Sequence, residues 1–237
     1  MDSSFSRPLT RIAGSTSDAA APAVIRLNRG RRYCSGFLTA PEILTAAITA
    51  DPYTGEQHLS TAEFAFIAAH FLRACEHPSE IRVSGTGFRG AVADARVVVG
   101  TDIGIVRLAR PAPLVRLPPI ASAVPPVLSR TVTYGFGGTT KRSVPPRHGR
   151  ILAKVPFAVS LNLRTRVRHA AICVPTERDQ VVYGDSGGPV LVAGEVTGLQ
   201  SLLFGYRHRE LLNIATVALL PPHLTAFSRA MDIMSVR

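Results

Sequence analysis

The chain consists mainly of short runs in which apolar and β-branched residues alternate with polar ones. Its 19 glycines and 18 prolines punctuate these runs. Short apolar runs bounded by turn residues are typical of an all-β barrel or sandwich. The clearest runs are 23–27, 81–83, 97–99, 103–108, 131–134, 150–155, 190–192 and 196–203.

Three segments depart from this pattern. Ser60 and Glu63 have the spacing of a capping box, in which the serine accepts from the third amide and the glutamate reaches back. The apolar run that they open predicts an inserted helix near 61–75. A C-terminal helix is predicted over 223–234, after a pair of prolines. The proline-rich stretch 110–126 predicts a connector between two halves.

Length and cysteine usage narrow the class of protein. A chain of 237 residues that is 46% hydrophobic can form one large domain or two joined small barrels. No apolar run approaches the roughly 18 residues of a membrane span, and the start has no signal-peptide core. Cys34, Cys75 and Cys173 are an odd number, which favours reduced thiols and a cytoplasmic protein. A disulfide between Cys34 and Cys75 remains an alternative.

The net charge of +11 raises the question of an anionic partner. Two of the 27 basic residues are lysine, so 25 are arginine, which is also a common genomic bias. The arginines cluster at 29–32, 147–150 and 164–169 without interleaved aromatic residues for base stacking. An anionic surface or polyanion therefore stays open as a partner. The sequence has no metal-ligand spacing or cofactor motif, so we expect no cofactor.

One segment carries a specific chemical signal. Residues 184–190 read Gly-Asp-Ser-Gly-Gly-Pro-Val, and this resembles the nucleophile loop of trypsin- and chymotrypsin-like serine proteases. Segment 34–47 resembles the strands that lead to that family's catalytic histidine, and 101–108 resembles the strand that carries its aspartate. Segment 131–138 resembles the strand that opens its second barrel.

The resemblance extends from about Arg11 to Phe227 and implies a fold. We expect an all-β protein of two six-stranded antiparallel Greek-key barrels, chymotrypsin-like. The first barrel would cover about 12–115 and the second about 127–237. Residues 1–11 would be a propeptide-like segment.

The family pattern also implies residue roles. Ser186 would be the nucleophile, and Asp102 would orient the histidine. Ser201 lies where the family has a serine that bonds this aspartate. The backbone amides of Gly184 and Ser186 would form the oxyanion hole. The specificity pocket is assigned to Gln180, Ser201, Leu203 and Leu212, and the leucines favour a small apolar residue before the scissile bond.

Arg11 and Ile12 resemble the family's zymogen activation site. In that family, cleavage after a basic residue frees an amine, which buries itself against the aspartate before the nucleophile. That aspartate is Asp185 here. The alternative is a tail that happens to contain an Arg-Ile pair.

The position of the histidine is the main open question. The family's Leu-Thr-Ala-Ala-His segment aligns with 44–48, which puts Ile48 where the base belongs. Isoleucine cannot accept a proton, so this alignment predicts an impaired enzyme. The alternative base is His70, which follows Ala68-Ala69 and has nearly the family's spacing to the next strand. We favour Ile48, because His70 falls within the predicted inserted helix.

Two functions follow from the resemblance. The first is a serine endopeptidase that hydrolyses polypeptides through Ser186, impaired at Ile48 unless His70 substitutes. The second is an inactive, basic pseudoprotease that binds a protein partner or a polyanion. Salt-sensitive binding to a polyanion would favour the second function. The sequence does not predict the oligomeric state.

Overall fold

The computed structural model describes residues 23–50, 58–85, 87–138, 146–176, 180–206 and 209–236. The described strands form two closed six-stranded barrels. In the first barrel the strands lie in the order β1-β2-β3-β6-β5-β4. Their bounds are β1 Val24–Arg29, β2 Arg32–Thr39, β3 His58–Ala68, β4 Arg82–Gly85, β5 Phe88–Val97 and β6 Ile103–Leu117.

The second barrel repeats this arrangement. Its order, β10-β11-β12-β9-β8-β7, is the same closed cycle read in the other direction. In each barrel the third strand pairs with the sixth, which is a Greek-key connection. The bounds are β7 Arg130–Thr133, β8 Arg147–Val159, β9 Arg166–Pro175, β10 Pro189–Val192, β11 Glu195–Tyr206 and β12 Arg209–Leu219.

Every strand pair within the two barrels is antiparallel. The predicted fold class, two antiparallel six-stranded barrels of the chymotrypsin type, is therefore confirmed. Three described α-helices accompany the barrels: α1 Pro41–Thr49, α2 Ala69–Leu72 and α3 Leu224–Ser235. Helix α3 is the predicted C-terminal helix. Among the described helices, none is long and apolar enough to cross a membrane.

The inserted helix predicted near 61–75 is mostly wrong. Residues up to Ala68 belong to β3, and the helical part is the four-residue α2. Ser60 caps no helix, because it lies within β3, and its hydroxyl donates to Glu42 Oε1. Strand β3 lies between β2 and β6, and its Phe66 packs against Phe37 on one neighbour and Phe227 of α3. From Phe64 to Ala68 the strand is buried on both faces, which gives a continuous apolar run that periodicity cannot separate from a buried helix.

The predicted connector 110–126 begins too early. Strand β6 continues to Leu117 through two prolines. Pro111 and Pro113 are exposed while Ala112 and Val115 are buried, so the alternation of a strand persists. The pairing with β3 shifts register on this stretch, and prolines are tolerated in strands at such irregularities.

Candidate active site

The candidate site lies where loops of the two barrels meet. Asp102 directly precedes β6, and His70 lies in α2 directly after β3. Since β3 and β6 are paired, with Ala68 opposite Ile103, the two side chains start from neighbouring strand ends. Ser186 lies between β9 and β10 of the second barrel, and Ser201 lies on β11.

His70 and Asp102 form a two-point contact. The backbone amide of His70 donates to Asp102 Oδ1 at 2.8 Å, and its ring Nδ1 lies 2.7 Å from Asp102 Oδ2. The carboxylate only accepts, so Nδ1 carries the proton, and the lone pair of the neutral ring is then on Nε2. Asp102 is fully buried, while the His70 side chain is 34% exposed. The imidazole thus bridges a buried charge and the protein surface.

Ser201 supplies the third donor to Asp102. Its hydroxyl donates to Oδ2 at 2.6 Å, and the side chain is buried. Ser186 is joined to the same residue, because its hydroxyl donates to the Ser201 carbonyl oxygen at 3.2 Å. Three hydrogen bonds therefore satisfy Asp102, and β11 connects this carboxylate to the candidate nucleophile.

The alignment that put Ile48 in the histidine position is corrected by this geometry. Ile48 lies near the end of α1 and is 43% exposed, while His70 is the residue against Asp102. Segment 34–47 holds β2 and then a helix, not two strands. Pro41 in the first turn and the alanines at 46 and 47 favour a helix there, so the Leu-Thr-Ala-Ala match is local. Strand β3 then precedes His70.

The candidate oxyanion hole has two available donors. Within the described part of the chain, the amides of Gly184 and Ser186 donate to no protein acceptor. Gly184 has φ +100°, and a Cβ there would collide with the ring of Tyr33. A glycine is therefore required at this position. Two such amides beside a nucleophile are the donors that an oxyanion needs.

Ser35 is a structural member of the site that sequence reasoning missed. Its hydroxyl donates to the Gly184 carbonyl at 2.7 Å and accepts from the Phe136 amide at 2.8 Å. Its own amide donates to the Ser186 carbonyl at 2.9 Å. A Cβ at Gly187 would collide with the Ser35 carbonyl, so β2 lies directly against the nucleophile loop. No motif marks Ser35, because its partners are distant in sequence.

Asp185 is the second fully buried aspartate of the site. Its Oδ1 accepts from the Gly137 amide and its Oδ2 from the Val182 amide, both at 2.8 Å. Arg147 at the start of β8 forms an ion pair with the same Oδ2. Sequence reasoning placed Arg147 in a basic cluster and missed this contact. Its predicted partner Ile12, with Arg11, lies outside the described residues.

The predicted pocket residues are only partly described. Gln180 is exposed, Ser201 is buried, and Leu203 on β11 is half-buried opposite Ala215 of β12. Leu212 belongs to β12, but its side chain lies outside the described residues.

The three cysteines are free thiols in the structure. The Cys34–Cys75 bridge that the sequence left open is not formed. Burial raises the pKa of the Cys34 thiol well above its usual value and raises the pKa of Cys173 to about 12. Partial burial also raises the pKa of Cys75, against the effect of Arg29.

Comparison with known proteins agrees with this architecture. The family model described as Trypsin matches residues 13–218, so the chain belongs to the trypsin family. No curated protein matches the chain by sequence.

Three solved structures illustrate the likeness in fold. The Rv3671c protease from M. tuberculosis in its active form has 14% identity over 89% of this chain and 82% of its own, with a TM-score of 0.64. Neuropsin, a serine protease from mouse brain, has 17% identity over 90% of this chain and 96% of its own, with a TM-score of 0.61. The human heparin binding protein has 14% identity over 90% of this chain and 92% of its own, with a TM-score of 0.63. Identities this low show a common fold alone.

Proposed function

We propose that the protein is a serine endopeptidase in which His70, Asp102 and Ser186 form the catalytic triad. The observation that carries the proposal is the two-point contact of His70 with Asp102, through the ring at 2.7 Å and the amide at 2.8 Å. This contact fixes the tautomer in which Nε2 is the basic nitrogen. Without it, the chain would have a nucleophile loop but no base.

The chemistry follows from the protons that each group holds. Nε2 of His70 takes the proton of Ser186 as Oγ bonds to the peptide carbon, and Asp102 stabilises the imidazolium. The carbonyl oxygen becomes an oxyanion held by the Gly184 and Ser186 amides. His70 then gives its proton to the leaving amine as the C–N bond breaks. A water molecule, deprotonated by His70, hydrolyses the acyl-enzyme in the same way.

Ser186 has one reorientation to make before it reacts. Its single hydroxyl proton is donated to the Ser201 carbonyl at 3.2 Å. A rotation about its side chain redirects that proton to His70 when a substrate carbonyl enters. Hydrogen bonds of this kind are commonly formed or tightened only in the substrate complex.

We further propose that the enzyme prefers a small apolar residue before the scissile bond. Gln180 offers no negative charge to an arginine or lysine side chain, and the bulky Leu203, assigned to the pocket wall, is half-buried on β11. A charged side chain in such a pocket would lose its hydration without gaining a partner.

The proposal is tested by covalent labelling and by peptide cleavage. The wild-type chain should react with a fluorophosphonate at Ser186, located by mass spectrometry, and should cleave a mixture of peptides after small apolar residues. The matched control is Ser186→Ala, which keeps the loop and removes the nucleophile. If the wild type labels no faster than Ser186→Ala, the endopeptidase proposal is wrong.

A second candidate function is binding of a polyanion without catalysis. The exposed side chains of Arg164, between β8 and β9, and of Arg166 and Arg168, at the start of β9, favour it, together with the net charge of +11. One structural neighbour is named a heparin binding protein. Retention on a heparin column that falls steeply with salt, combined with no Ser186 labelling, would select this function over the first.

A further inference from the structure

The carboxylate of Asp185 has a full set of partners from inside the protein. It is fully buried, and a buried carboxylate without partners is costly. The Gly137 and Val182 amides each donate to one of its oxygens at 2.8 Å. The ion pair with Arg147 supplies the positive charge. The described second barrel therefore neutralises Asp185 with its own residues.

Arg147 is well placed for this role. Its side chain is 12% exposed, and it is the first residue of β8. Its second guanidinium nitrogen donates to the Gly137 carbonyl at 3.0 Å, so it bonds the same residue whose amide holds Asp185. Two contacts from one planar group fix both position and orientation.

The position of Asp185 controls the candidate oxyanion hole through a short chain of bonds. The Asp185 amide donates to the Val182 carbonyl at 3.1 Å, while the Val182 amide donates to the Asp185 carboxylate. The turn that these bonds close contains Gly184. The Gly188 amide also donates to the Asp185 carbonyl at 2.8 Å. A shift of the Asp185 side chain would therefore move the Gly184 and Ser186 amides.

We propose that Arg147 is the positioning residue that holds the oxyanion hole in its reactive form in the uncut chain. Cleavage between Arg11 and Ile12 is then not required for activity. The proposal rests on the endopeptidase function proposed above and concerns its regulation. An internal guanidinium takes the role that the activation-site resemblance gave to a freed amine.

The decisive comparison is between an intact chain and one that starts at Ile12. The intact chain carries Arg11→Gln, and its mass is verified before and after each assay. Two properties are measured for both: the rate of fluorophosphonate labelling at Ser186, and hydrogen–deuterium exchange of segment 182–188. Equal rates and equal exchange are expected. Slow labelling and fast exchange in the intact chain, both reversed when Ile12 is the N-terminus, would overturn the proposal.

Variants at Arg147 provide the second arm. Arg147→Gln should slow labelling by about 100-fold, the order expected for a lost oxyanion donor, and should increase exchange in 182–188. Arg147→Lys keeps the charge and should restore part of the labelling rate. No such recovery is expected if Arg147 acts only by filling space. Wild-type labelling and exchange in Arg147→Gln would contradict the proposal. If Arg147→Gln does not fold, the labelling rates of Arg147→Lys and of the intact chain still test the proposal.

The exchange arm separates this proposal from the proposed activity. If the wild type labels in neither form, the endopeptidase function is wrong, yet segment 182–188 still reports on Arg147. Protection that is equal in the two forms and lost in Arg147→Gln would then support the positioning role alone. Protection that appears only when Ile12 is the N-terminus would refute it.

Discussion

Two buried aspartates define the candidate site, and their carboxylates are stabilised in different ways. Asp102 is held by the His70 ring and amide and by the Ser201 hydroxyl. Asp185 is held by two backbone amides and by Arg147. Both carboxylates are fully buried. The difference is that Asp102 faces groups without a fixed charge, whereas Asp185 faces a permanent one.

This difference matches two different tasks. A guanidinium stays protonated throughout the working pH range, so the Asp185 pair has the same charge at every step of a reaction. An imidazole gains and loses a proton, so the negative charge of Asp102 is available to stabilise the imidazolium when it forms. Asp185 is therefore suited to holding a loop, and Asp102 to a changing charge.

Of the two aspartates, Asp102 should show the larger effect on catalysis when it is changed. Asp102→Asn should lower kcat by about 10⁴-fold, because an amide can donate to Nδ1 and so favours the wrong tautomer of His70. Its unfolding free energy should change less than that of Asp185→Asn, since no fixed positive charge is left unpaired. Steady-state kinetics and urea unfolding check the two parts. A kcat within about tenfold of wild type would contradict the role of Asp102.

The corresponding change at Asp185 should lower stability as well as the rate of labelling at Ser186. Asp185→Asn leaves the Arg147 guanidinium buried without its carboxylate, and the expected loss is about 3–5 kcal/mol. Urea unfolding measures it, with Asp232→Asn on the exposed face of α3 as the matched control. An equal effect of the two substitutions would mean that the ion pair contributes nothing.

Ser201 tests how much of the Asp102 site depends on a neutral donor. Ser201→Ala removes the 2.6 Å hydrogen bond but leaves both contacts from His70. A hydrogen bond to a charged group contributes about 1.5–3 kcal/mol, so kcat should fall by roughly 10- to 100-fold. Ser122→Ala, at an exposed serine, is the control and should be unchanged. If both variants have the same kcat, the hydrogen bond from Ser201 to Asp102 does not contribute to catalysis.

The smallest effect concerns the thiols. With a maleimide at pH 8, Cys75 should react first, because Cys34 and Cys173 are buried. Their burial raises the pKa of each thiol, so little thiolate is present below pH 9. Peptide mapping before and after unfolding measures the order. Cys34 and Cys75 both staying unreactive until a reductant is added would indicate a disulfide instead.

The fold could be predicted from the sequence because its signals are local. Short alternating runs with turn residues indicate strands, and the seven-residue nucleophile motif is specific enough to imply two barrels. Strand β3 could not be recognised, because both of its faces are buried from Phe64 to Ala68 and the alternation is lost there.

The candidate site could be predicted only in part. Ser186, Asp102 and Ser201 follow from motifs, but the choice between Ile48 and His70 does not. The predicted inserted helix argues against His70, and the pairing of β3 with β6 is what brings His70 to Asp102. The family pattern predicts Ile12 as the partner of Asp185, whereas Arg147, 38 positions earlier in the sequence, is in direct contact with it.

One matched pair of variants tests whether His70 is the base. The rate of fluorophosphonate labelling at Ser186 is compared for His70→Ala and Ile48→Ala, with thermal unfolding to verify that both are folded. His70→Ala should become unreactive on the assay timescale, since losing a catalytic histidine costs about 10⁶-fold in kcat. Ile48→Ala, at an exposed helix position, should label at the wild-type rate. Rapid labelling of His70→Ala would show that His70 is not the base.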